Sequence, residues 1–130
     1  MSIKYSVVLQ PYAERHFFKS FKKKYRSAWD ITWRAICEEL QRFDSLLETS
    51  IAETITENNN VRIAKTEFRV AGTNESRRSS GNRCIVAVHK DTDIINVLLI
   101  YLKNNLGDGN ETVKWKQLIK DNYSDYCSLL

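Results

Sequence analysis

Cysteine, histidine and glycine are scarce in this chain, and each shortage removes a class of chemistry. Cys37, Cys84 and Cys127 are odd in number, far apart and without a CxxC pair, so neither a disulfide framework nor a zinc ribbon is expected. They read as free, reduced and mostly buried thiols. The two histidines, His16 and His89, fall on a helix face and a strand end with no acid–base spacing. Gly107 and Gly109 are too few for a phosphate loop. Asp91 and Asp93 lack a third acid at ligand spacing, so no metal is expected, nor any other cofactor. The longest apolar run, Val97 to Leu102, is far shorter than the roughly 20 residues a membrane helix needs. The N-terminus has no apolar signal region. The expectation is a cytoplasmic protein with no membrane partner.

What is present is charge in blocks. The net charge of +4 hides a basic stretch over residues 14–34, an acidic one over 35–60, a second basic one over 61–90 and a mildly acidic remainder. That alternation predicts a polarised surface suited to a polyanion. With 42% hydrophobic residues and 11% aromatics, one folded domain over 1–130 is expected.

Apolar periodicity sets the elements. "IKYSVVL" (Ile3 to Leu9) reads as a strand ended by Pro11. In "AERHFFKSFKKKY", Phe17, Phe21 and Tyr25 recur at helical spacing, with Lys19, Lys22, Lys23 and Arg26 on the other side. Trp29, Trp33, Ile36, Leu40, Phe43 and Leu47 form a continuous helical stripe, which makes the Trp pair core rather than a stacking platform. "ETSIAETITENNN" has no clear period and reads as a loop or a short irregular element. Strands are expected over Val61–Val70, Arg83–Lys90 and Asp93–Lys103, the last two joined as a hairpin at Asp91–Thr92. A modest helix follows "GDGN". The order β-α-α-β-β-β-α predicts an α+β fold, a helical hairpin packed on a small, mainly antiparallel sheet.

The stretch "ESRRSSGNRCIVAV" crowds Arg77, Arg78 and Arg83 around a turn that needs only its Gly and Asn for backbone reasons. Mutually repelling arginines imply an anion. Lys65, Glu67 and Arg69 share one strand parity, and topology brings Arg78, Arg83, Tyr101 and Lys103 to one edge. Such a cluster suits RNA cleavage, which needs a base for the 2′-OH, cations for the phosphorane and an acid for the leaving oxygen. The same residues also suit phosphate binding without chemistry, or docking of an acidic protein.

"RSSGNRCIVAV" followed by "DIINVLLIYLKN" resembles the C-terminal hairpin of the RelE/ParE toxin superfamily. The helical hairpin and the tail "GDGNETVKWKQLIKDNY" are similar to that family too, so the resemblance runs over residues 3 to 124. It implies a RelE-like fold and the toxin of a type II toxin–antitoxin pair, a ribosome-dependent endoribonuclease that cuts mRNA in the A site. The implied partners are a cognate antitoxin protein, the ribosome and mRNA. The family's phosphate-clamping arginine falls on Arg78, its Gly-x-Arg arginine on Arg83, a strand lysine on Lys65 and the basic residue after the last strand on Lys103. Several relatives carry a further Arg, Tyr or His just beyond that strand. Here "NNLGDGN" stands there, leaving Tyr101 as the stand-in. Lys19, Lys22, Lys23, Arg26, Arg69 and Arg77 are the expected RNA-binding residues. A non-catalytic toxin on the same fold, acting on gyrase or another target, or an inactive antitoxin-binding relative, are the alternatives.

Overall fold

In the computed structural model, residues 3–130 are described, and Met1 and Ser2 of the expected domain lie outside them. Strand β1 (Ser6–Leu9) leads into consecutive helical segments: α1 (Pro11–Ala13), a π-helical insertion (Glu14–Phe18) and α2 (Lys19–Tyr25). Helices α3 (Ser27–Gln41) and α4 (Phe43–Leu46) follow, then β2 (Ala52–Glu57), β3 (Val61–Phe68), the one-turn α5 (Arg77–Ser80), β4 (Asn82–His89) and β5 (Ile94–Leu102). A 3₁₀ turn (Lys103–Leu106), α6 (Glu111–Asn122) and a second 3₁₀ segment (Ser124–Leu129) end the chain.

The five strands run in the order β1-β5-β4-β3-β2, antiparallel except for β1 beside β5. Apolar layers cover both faces. On one, Phe21, Trp29, Ile36, Leu40 and Phe43 from the helical hairpin pack on Ala64, Cys84, Val86 and Val97. On the other, Trp115, Ile119 and Tyr126 pack on Ile63, Ile85, Ala87 and Leu99. The register slips between Ile85 and Val86, so β5 carries an extra residue there and both Leu98 and Leu99 join the second layer. Trp29 is fully buried and Trp33 packs against the same layer, as the helical stripe predicts.

Three local readings change. The segment expected to be a loop or a short irregular element contains β2, an edge strand paired with β3. Its bulge between Thr54 and Thr56 breaks the period-two pattern, and its exposed Glu and Thr residues masked the rest. The continuous helix expected through Leu47 breaks at Arg42, whose φ is −114°. There the carbonyl of Gln41 accepts instead from the amides of Lys4 and Tyr5, 3.0 and 3.2 Å away. The chain entering β1 thus supplies donors to the broken helix end, and the break turns both Phe43 and Leu46 into the core. Finally, Cys127 is exposed, whereas Cys84 is buried and Cys37 half-buried. Burial pushes the Cys84 thiol up to about 12 and the Cys37 thiol to about 11.

The same corner is clamped by Asp44, which accepts from the Tyr5 hydroxyl at 2.7 Å and the Lys4 ammonium at 3.0 Å. These bonds, chiefly that of Tyr5, hold the Asp44 carboxyl below its ordinary value of 3.8. A depressed carboxyl stabilises the fold above its unfolded value and loses that contribution as pH falls through the folded one. Asp44→Asn should therefore cost at most about 1 kcal/mol at neutral pH, the side chain being largely exposed. In urea titrations the difference from wild type should shrink as pH drops below the carboxylate range. Arg26, between α2 and α3, has φ 55° and ψ −121°, which side-chain-bearing residues rarely adopt. Arg26→Gly should raise stability by about 1 kcal/mol, read as a higher denaturation midpoint.

Candidate functional site

Antiparallel pairing places Glu67, Arg83 and Tyr101 side by side across β3, β4 and β5. The next row holds Glu53, Lys65, Ile85 and Leu99 on the same face. The α5 turn sits at the end of this row, and its shape is fixed by hydroxyls. Ser76 and Ser79 form a reciprocal capping box. The Ser80 hydroxyl, buried, lies 2.7 Å from the Phe68 carbonyl at the end of β3 and accepts from the Asn82 amide at 3.1 Å. Gly81 follows with φ 76°, and a Cβ there would lie only 3.2 Å from Leu102 Cδ1, so glycine is needed on both counts.

The turn separates its three arginines. Arg77 points toward the helical hairpin, where Nη1 lies 2.7 Å from Glu39 Oε2. Arg83 is 7% exposed; its Nη2 lies 3.3 Å from Glu67 Oε2, and its guanidinium also donates to the carbonyls of Asn82 and Arg78. Arg78 has a side chain 76% exposed, with only a long 3.8 Å approach of Nε to Glu67 Oε1. The anions that the crowded arginines imply are thus in part internal: Glu39 for Arg77, and Glu67 for the other two.

Of the other expected residues, Lys65 lies in the row, its Nζ 3.7 Å from Glu53 Oε1. Tyr101 is fully buried and donates to Glu111 Oε2 at 2.7 Å. Burial first, then the Glu111 carboxylate, pushes the phenol well above its ordinary value of 10, with Arg83 partly opposing. Lys103 opens the 3₁₀ turn beside Gly81, whose carbonyl accepts its amide at 2.8 Å, and its side chain is exposed. Arg69 is exposed just past β3 and, among the described residues, forms no ion pair. Lys19, Lys23 and Arg26 are exposed on the helical hairpin, while Lys22 is held by Asp30. Lys65, Arg78, Arg83 and Tyr101 are therefore brought to one corner, Lys103 flanks it, and Arg77 leaves it.

Sequence reasoning missed the carboxylates. Glu67 shares the parity of Lys65, and that parity was the available signal. It gave no sign that Glu67 would sit between two guanidinium groups.

Arg83 and Arg78 should separate in stability. Arg83→Ala leaves Glu67 largely buried without this partner and takes one donor from each of two carbonyls, and should cost about 3–5 kcal/mol. Arg78→Ala should stay within about 0.5 kcal/mol of wild type in the same denaturant titration.

No protein-family model matches the chain, and no curated protein matches it in sequence. Among solved structures, a chain of the archaeal RelE–RelB complex from Pyrococcus horikoshii OT3 is similar at a TM-score of 0.54 and 11% identity, over 76% of this chain and 94% of that one. At that identity the likeness establishes architecture: this chain has a RelE-like fold.

Proposed function

We propose that the protein is the toxin of a type II toxin–antitoxin pair and cleaves mRNA in the ribosomal A site. The observation that carries this reading is the exposed Arg78 beside the Glu67–Arg83 pair, on a RelE-like fold. A guanidinium anchored on backbone carbonyls, next to one free in solvent, gives a fixed and a mobile donor for one phosphate.

In this mechanism the scissile phosphate sits against Arg78 and Arg83, and Glu67 is the base that takes the 2′-OH proton. The 2′-oxygen attacks phosphorus, the bond to the 5′-oxygen breaks, and a 2′,3′-cyclic phosphate forms. Both arginines stabilise the charge that builds on the phosphorane. The buried Tyr101 hydroxyl is engaged with Glu111, so the leaving 5′-oxygen takes its proton from the Lys65 ammonium. Lysine is a poorly matched acid at neutral pH, so turnover should depend on ribosomal groups. Lys103, Arg69 and the basic residues of the helical hairpin add sequence-independent, salt-sensitive affinity for RNA. The antitoxin is an acidic segment covering this surface, and the compartment is the cytoplasm.

One observation favours the non-catalytic alternative: Lys65 and Arg83 already face carboxylates, so an incoming phosphate competes with Glu53 and Glu67. A purified translation system separates the two. Wild-type protein should cut mRNA at A-site codons only when ribosomes are present. Glu67→Gln should slow cleavage by about 10²–10⁴-fold, and Arg78→Ala by a similar factor without loss of fold. Growth inhibition with intact mRNA would replace the nuclease by a binding toxin.

A further inference from the structure

Beyond the end of β1 the free edge of β5 is covered by the π-helical insertion, and a cleft of about 190 Å³ opens between α2 and the 3₁₀ turn after β5. Its walls include Phe17, Phe21 and Leu102, so the interior is apolar and partly aromatic. The rim carries Ser20, Lys24 and Asn105. Among the described residues Ser20 and Asn105 form no side-chain hydrogen bond, and Lys24 has no ion pair. Its ammonium lies 5.1 Å from the centre of the Tyr25 ring, which is itself stacked on Phe21. No acidic residue lines the cleft. Apolar walls with a few convergent, unused polar groups mark a ligand site.

Two backbone irregularities flank it. The π-helical insertion brings His16 and Phe17 to the cleft, and π-insertions recur at functional positions. The strained Arg26 ends the helix immediately after Tyr25. The cleft lies on the helical-hairpin side of the sheet, whereas Glu67, Arg83 and Tyr101 face the α6 side, and the two meet around the end of β5. Leu102 and Lys103 pack on Gly81 of the arginine turn, and Glu67 lies two strands over from β5, roughly 10 Å.

We propose that this cleft receives one base of a single-stranded RNA that runs around the end of β5, past Lys103, from the Arg78–Arg83 corner. The proposal deepens the nuclease reading and rests on it. Phe21 is already stacked on Trp29 and Tyr25, so the half-buried Phe17 is the aromatic ring left for the π-face of a base, with Lys24 for its phosphate and Ser20 and Asn105 for the hydrogen-bonding edge. The volume falls below the roughly 300 Å³ of common small-molecule pockets, and a compact cleft suits a single base better than a helix, which needs a long groove.

The test is titration of isotope-labelled protein with the four nucleoside 5′-monophosphates, without ribosomes. Amide shifts should concentrate at Ser20, Lys24 and Asn105, and Asn105→Ala and Lys24→Gln should each weaken binding about tenfold. Equal shifts with inorganic phosphate alone would overturn the proposal, since no base would be read. So would an unresponsive cleft, or one that responds only to an acidic peptide. Because this readout needs neither cleavage nor ribosomes, the outcomes remain separable. Nucleotide binding by a protein that cuts no mRNA would keep the cleft and remove the nuclease. Cleavage with an unresponsive cleft would do the reverse.

Discussion

The buried guanidinium of Arg83 is the contact on which the candidate site depends. It joins three parts of the chain: Glu67 on β3, Asn82 at the start of β4, and the Arg78 carbonyl in the turn. A charge this enclosed needs compensation, and two carbonyls and the Glu67 carboxylate supply it. In return, Arg78 is presented from a turn whose backbone is pinned on both sides. For the proposed nuclease, a group held by such supporting bonds stays within the narrow tolerance that catalysis needs.

The sheet carries the same logic outward. The helical hairpin fills one face and α6 with the C-terminal segment fills much of the other, leaving the charged corner at the end of β3 and β4. The Tyr101–Glu111 bond ties the first turn of α6 to β5 beside Arg83 and marks where apolar cover gives way to charge. The Glu53 and Glu67 carboxylates lie beside the cations of this corner and offset their mutual repulsion. In the proposed function, an incoming phosphate competes with these carboxylates for Lys65 and Arg83.

The sequence made the long-period features legible. The spacing from Trp29 to Leu40 is a helical stripe, and Arg83 to Leu102 is two apolar runs around a short turn, so α3, β4, β5 and their pairing were readable. The pairing in turn placed Arg83 beside Tyr101. What escaped has local causes. Strand β2 is short, bulged and charged at the edge, so it has no clean period. The break at Arg42 depends on amide donors from Lys4 and Tyr5, some 37 positions away, which no local pattern encodes. The π-insertion shifts helical phase without changing composition. Arg77, Arg78 and Arg83 look equivalent in the sequence. Only the fold shows that Glu39 takes one, Glu67 holds another, and the third stays largely exposed with one long approach to Glu67. Tyr101, plausible as an acid by position, is enclosed by packing from α6.

The most direct test of the central claim is the structure of the protein on a ribosome whose A-site codon carries a 2′-O-methyl group, which prevents cleavage. The account predicts the blocked phosphate within hydrogen-bonding distance of the Arg78 and Arg83 guanidinium groups. It also predicts that Glu67 turns from Arg83 toward the 2′-oxygen. An intact Glu67–Arg83 pair, with the mRNA phosphates lying elsewhere on the surface, would contradict it.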